Sequence, residues 1–148
     1  MSLSPEQHYE QLVAGKNLSG DDVQAAFDNL QPIKPEHFFG TWKGANVNTG
    51  HPTEEKLTGM NWAGKTFRST EDVDPIEVYQ ENGERVWNPD WGHARLRQIE
   101  WKGKVSTAMI YDDVPIIDYF RYVKEDMIAG AMDAKIAPGG TYYFYLYK

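Results

Sequence analysis

Hydrophobic positions follow two different periods along this chain, and the change falls near residue 37. In the front part Val23, Ala26, Phe27 and Leu30 recur at three- and four-residue steps, which is one apolar stripe of a helix. Ser19 precedes that stripe as an N-cap, and Asp21 and Asp22 occupy the first turn, where the helix dipole favours acids. Leu18 and Val23 are spaced as a hydrophobic staple, and Pro32 stops the helix. An earlier helix is expected from Ser4-Pro5-Glu6-Gln7, a capping box with Pro at the first helical position. Leu12 and Val13 give it an apolar side and Gly15 ends it. These helices suit a cap packed on one end of a sheet.

Beyond residue 37 the apolar runs are short and punctuated by turns. Asn82-Gly83 separates Ile76–Tyr79 from Arg85–Trp87 and is a strong hairpin signal. Lys102-Gly103 separates 93–101 from 104–112, Lys124-Glu125-Asp126 separates 116–123 from 127–135, and Pro138-Gly139-Gly140 precedes the last run, 141–147. Eight to ten short strands with no alternating helices make a meander, and a meander that long must close to remove its edges. The expected fold is therefore mainly β: an antiparallel barrel of 8–10 strands with two short N-terminal helices. It forms a single domain over 1–148, with 1–37 as helical cap and 38–148 as barrel.

Two registers can be written down. A two-residue turn at Lys102-Gly103 pairs Trp101 with Lys104, Arg97 with Ala108, Arg95 with Ile110 and His93 with Asp112 on one face. Leu96/Met109 and Ala94/Tyr111 then share the other. In the next hairpin a three-residue loop pairs Val123 with Met127, Arg121 with Ala129, Tyr119 with Ala131 and Ile117 with Asp133. Tyr122/Ile128, Phe120/Gly130 and Asp118/Met132 alternate with them. One set of faces, with Leu96, Met109, Tyr111, Phe120, Tyr122 and Met132, is apolar apart from Asp118. The opposite set carries Arg95, Asp112, Arg121 and Asp133. Either set could line the barrel, and a carboxylate on an apolar face must find a partner or take a raised pKa.

Composition narrows the function classes. The chain has 148 residues and no cysteine, which removes disulfides, thiolate zinc sites and cysteine nucleophiles. Its formal net charge of −7 opposes nucleic acid and anionic membrane surfaces. No apolar run approaches the roughly 18 residues of a spanning helix, and a cytoplasmic location is the default. Aromatics are skewed: all five Trp lie between Trp42 and Trp101, which agrees with a sheet starting near residue 39.

The most specific motif is Phe39-Gly40-Thr41-Trp42-Lys43-Gly44, a Gly-x-Trp entry into a first strand whose indole can plug a barrel end. Together with Thr49-Gly50-His51-Pro52 and Trp62-Ala63-Gly64-Lys65-Thr66-Phe67 it resembles the GXWXG protein family. Ala94-Arg95-Leu96-Arg97, Gly103–Asp112, Pro115–Arg121, Gly130–Lys135 and Tyr142–Leu146 are similar to the domain of unknown function 4334. The resemblance implies a lipocalin-like barrel completed by both segments and carries no settled activity. Some barrels with this start ligate haem through a late histidine, but here no histidine follows His93, so no cofactor is expected.

The candidate ligand-binding residues are Arg95, Leu96, Met109, Tyr111, Asp112, Phe120, Arg121, Tyr122, Met132 and Asp133. The leading function is binding of a small, mostly apolar ligand with one polar or anionic group. The alternative is an acid–base enzyme (isomerase, lyase or cyclase) on a carbonyl or polyketide-like substrate, with His51 or Asp118 as the base. A third role is a homodimeric scaffold. No histidine pair has metal-ligand spacing, so no metal site is expected. Lys65, beside Gly64, reads as an exposed strand residue rather than a Schiff-base amine.

Overall fold

A computed structural model describes residues 2–148. Its nine strands are β1 (Gly40–Asn46), β2 (Trp62–Ser69), β3 (Asp72–Tyr79), β4 (Arg85–Trp87), β5 (Ala94–Trp101), β6 (Lys104–Tyr111), β7 (Ile116–Lys124), β8 (Met127–Ala134) and β9 (Tyr142–Tyr147). Eight of them close a ring in the order β2-β1-β9-β8-β7-β6-β5-β3, sealed by pairing of β2 with β3. The short β4 hangs on β3 outside the ring. This is the expected closed antiparallel barrel, with the tyrosine-rich last strand lying against the first.

Both written registers hold where side-chain parity fixes them. β5 and β6 pair from Ala94↔Tyr111 to Trp101↔Lys104. β7 and β8 pair Asp118↔Met132 and Arg121↔Ala129, but Lys124, not Val123, meets Met127. Val123 sits where a bulge shortens the turn to Glu125-Asp126, so this end of the hairpin departs from expectation.

The N-terminal helices, α1 (Pro5–Val13) and α2 (Gly20–Asp28), carry the expected Ser4 capping box and Ser19 cap. Besides these two expected N-terminal helices, a third, α3 (Pro52–Gly59), lies between β1 and β2. His51 caps it, Pro52 takes its first position and Glu54 returns a carboxylate to the cap backbone, so the capping chemistry is present with an unusual capping residue. A 3-10 turn at Pro35–Phe38 leads into β1 and α3 follows it, so the two stand at opposite ends of that strand. Phe38 closes its end against Phe67 and Phe120, with ring centroids 5.1 and 4.9 Å away. Trp42 is buried beside it and donates its indole N–H to the Phe38 carbonyl at 2.7 Å.

Two motif glycines, Gly44 and Gly64, serve close approach. The Trp62 ring lies on Gly44, where any Cβ would overlap it. Gly64, at φ +147°, lets β2 cross the Trp42 carbonyl with no room for a side chain.

Two apolar clusters result. One fills the barrel lumen and contains Trp42, Phe67, Leu96, Met109, Tyr111, Phe120, Ile128, Met132 and Phe144. The other lies outside the wall under α1 and α2, where Tyr9, Phe27 and Leu30 meet Tyr119, Val123, Ala129 and Tyr143. Alternate residues of β7 thus enter different cores, as the period of two requires.

Candidate functional site

Strand parity brings one charged pair into the lumen. In β2, Lys65 shares a face with Phe67, and in β7 Asp118 shares one with Phe120. Lys65 Nζ stands 3.2 Å from Asp118 Oδ2, and the two side chains are 2% and 1% exposed. The amine also donates to the Pro75 carbonyl at 2.9 Å. Aromatic faces surround it: Phe144, Trp62 and Tyr111 have centroids 5.2, 5.6 and 5.8 Å from Nζ. Asp118 Oδ1 is buried and has no hydrogen-bond partner among the described residues.

Burial dominates the ionisation of this pair. It pushes the Lys65 amine below the ordinary lysine range against the attraction of Asp118. It raises the Asp118 carboxyl against the opposing pull of Lys65 and the neighbouring Tyr111 hydroxyl. Burial and the nearby carboxylate hold the Tyr111 and Tyr142 phenols well above their usual range, so both remain neutral donors.

An internal cavity adjoins the pair, lined by Lys65, Asp118, Tyr111, Tyr142 and Phe144 from the barrel and by Leu57 of α3. Its free volume, about 10 Å³ open to the centre of a water-sized sphere, has room for about one water. Outside it lies a largely apolar vestibule of about 480 Å³ bordered by Lys56, Met60, Ile116 and Ile136. Thr53, Trp91 and Met132 line both spaces and form the partition between them. Trp91 ends a 3-10 turn at Pro89–Trp91, and Lys56 Nζ lies 4.9 Å over its ring.

The expected site residues divide sharply. Tyr111, Asp118 and Met132 line the cavity, and Leu96, Met109 and Phe120 pack within the same lumen. Tyr122 is half-buried at the Phe38 end, edge-on to His37. Arg95 and Asp112 pair with each other at 2.7 Å, both with solvent access, and Asp133 is exposed. These three face outward, away from the lumen, because they share parity with the polar set. Arg121 also points outward but is buried beneath α2, where it donates to the carbonyls of Trp101 at 3.0 Å and Asp28 at 3.4 Å.

His51 is buried with both ring nitrogens engaged. Nδ1 accepts from the Thr53 amide at 3.1 Å, and Nε2 donates to the Gly140 carbonyl at 3.0 Å. It ties α3 to the loop before β9. The His93 ring turns to Asp74 at 3.1 Å rather than to Asp112. Asp72, Asp74 and His93 could converge on a cation, but Arg68 already holds both oxygens of Asp74, at 3.0 and 2.7 Å.

Lys65 was the missed residue. The expectation of exposure followed its charge and neglected its parity with Phe67, which was the available signal. The partition residue Trp91 had none, because it lies in the turn between β4 and β5.

Comparison with known proteins agrees with the motifs. The model described as GXWXG protein matches residues 25–83, and the domain of unknown function DUF4334 matches 92–148. A crystal structure of a protein from Thermomonospora curvata superposes with a TM-score of 0.91 at 38% identity, covering 99% of both chains. No curated protein matches. Among the described residues no helix is long and apolar enough to cross a membrane.

Proposed function

The chain belongs to the family in which a GXWXG segment is followed by DUF4334, and from that premise we propose that its barrel binds a small, mostly apolar molecule carrying one polar group. The carrying observation is the unpartnered Asp118 Oδ1, buried beside Lys65 in an aromatic lumen, on a side chain that lines a cavity. Buried polar atoms in native proteins are almost always satisfied, and an orphan beside free space is a place for a guest atom. The guest's polar group meets Lys65–Asp118, and its apolar body occupies the vestibule after Trp91 moves aside. The reading takes 1–148 as one cytoplasmic domain, with α1 and α2 as a cap.

The raised Asp118 carboxyl favours a second reading, acid–base catalysis on a carbonyl compound, with Asp118 as the proton carrier and Tyr111 polarising the oxygen. His51 and Arg121 take no part in it, the first being fully hydrogen-bonded and the second lying outside the lumen.

Native mass spectrometry of protein purified without denaturation, with NMR titration by benzyl alcohol, tests the binding reading. A retained small molecule, or saturable shifts at the Trp62 and Trp91 indoles, with the Trp62 shift strengthening in Trp91→Ala, is the expected result. An empty spectrum together with an unshifted Trp62 indole in both proteins overturns it.

A further inference from the structure

Lys65 offers a hydrogen-bond count that its burial makes decisive. An ammonium has three N–H donors, but Lys65 Nζ meets two oxygen acceptors, the Pro75 carbonyl and Asp118 Oδ2. Around it are the ring faces of Phe144, Trp62 and Tyr111. A neutral amine has two N–H donors and one lone pair, which fits those two acceptors with the lone pair left over. Asp118 fits the complementary state: a proton on its unpartnered Oδ1 would be directed to whatever enters the cavity.

We propose that Lys65 is a nucleophile for a small apolar aldehyde, with Asp118 as its acid–base partner, so that the lumen captures its guest as an imine. This rests on the binding reading above and names the guest's polar group as a carbonyl. The Nζ lone pair forms the C–N bond while the carbonyl π pair moves to oxygen, which takes the Asp118 proton. The resulting ammonium returns one proton to the Asp118 carboxylate, giving a neutral carbinolamine. That oxygen then leaves as water with the Asp118 proton, and the nitrogen lone pair forms the C=N bond. The products are water and an iminium cation beside the Asp118 carboxylate, with no oxidant or reductant consumed. Burial supports the same chemistry by pushing the amine toward its nucleophilic form, as a desolvated lysine requires. Water added to the imine reverses the capture, so exclusion of bulk water by Trp91 and α3 favours retention.

The test uses benzaldehyde as probe and sodium cyanoborohydride to reduce any imine to a stable amine, read by intact mass and peptide mapping at neutral pH. One benzyl increment on Lys65, ahead of the nine other lysines, is expected. Trp91→Ala should label faster and Asp118→Asn at least tenfold slower. Lys65→Met combined with Asp118→Leu, which empties the lumen of charge without stranding a partner, should not label there. Labelling spread evenly over surface lysines, or an undiminished benzyl increment in that double variant, overturns the proposal. If benzyl alcohol shifts the indoles but benzaldehyde never traps on Lys65, the covalent step fails and the binding reading stands. If neither probe acts and the native mass spectrum is empty, both fail.

Discussion

Strand β7 carries two buried ionisable side chains three residues apart, and they inhabit opposite environments. Asp118 enters the lumen, meets Lys65 and keeps one oxygen without a partner beside a cavity. Arg121 leaves the barrel on the other face and lies under α2. There it donates to Asp28 and Trp101 carbonyls, and its guanidinium sits 5.0 Å over the Phe27 ring. Lys104 Nζ joins it, donating to the Asp28 and Leu30 carbonyls at 2.7 and 2.9 Å. Two cations therefore meet the negative end of α2, where backbone carbonyls lack intrahelical partners. Asp118 and Arg121 are equally shielded from solvent, although Arg121 lies in the shallower layer under the helices. What differs is completeness: the outer charges finish a helix terminus, whereas the lumen pair leaves an acceptor open to a guest.

The largest expected effect comes from breaking the lumen pair. Asp118→Leu strands Lys65 in an apolar lumen and should lower stability by about 3–5 kcal/mol at neutral pH, read from denaturant midpoints. The loss should shrink as pH rises toward 10.5, the ordinary lysine value. Between the lowered folded pKa and that value the unfolded chain holds more protons, so stability rises with pH. A loss independent of pH would show that the stranded amine is not its source.

Arg121→Met, of similar length, should cost about 3 kcal/mol, because two carbonyls lose a charged donor. Here pH should matter little, since an arginine stays protonated throughout the accessible range. Hydrogen exchange should show α2 opening ahead of the barrel. Uniform loss of protection across β7 and β8 would mean that Arg121 supports the wall and not the helix.

These contrasts bear on what was readable beforehand. Parity in β5 to β8 was legible because turns at Lys102-Gly103 and after Lys124 pin the register, so every side chain between them was assigned to a face. Which face was inner was not legible, since both carried charge and apolar bulk. The deciding fact was that α1 and α2 supply a second apolar layer outside the wall, so Tyr119, Val123 and Ala129 are buried without being luminal. Arg121 looked luminal for the same reason. The burial of Lys65 was legible from its parity with Phe67, but its pairing with Asp118 across the barrel is a contact that no local spacing encodes. The vestibule depends on α3, and a histidine N-cap is a weak helix signal.

Replacing the lumen pair as a unit should act in the opposite direction. Lys65→Met with Asp118→Leu removes both desolvation penalties and should stabilise the protein by about 1–2 kcal/mol, as apolar replacement of buried ion pairs often does. The wild-type stability minus that of the double variant should trace a trough against pH. Asp118 is raised above its ordinary 3.8, so the folded state holds the extra proton just above that pH and stability falls as pH rises through the window. Lys65 supplies the recovery toward 10.5. A flat difference would mean that the pair is fully compensated and that the lumen resembles the helix socket after all.

The smallest effect tests whether an orphaned polar atom alone marks a site. Tyr9 Oη shares with Asp118 Oδ1 the property of being buried without a hydrogen-bond partner among the described residues. Burial holds its phenol far above the usual range, so it stays neutral. It lies in the apolar layer between helices and wall, away from the cavity and vestibule. Tyr9→Phe removes an unsatisfied hydroxyl from a packed layer, and should leave stability unchanged or raise it by up to about 1 kcal/mol. It should leave the indole shifts caused by benzyl alcohol untouched. Destabilisation would reveal an unrecognised partner for the hydroxyl. Weakened probe binding would mean that the helical layer and the lumen are coupled, and the division between a completed charge site and an open one would no longer hold.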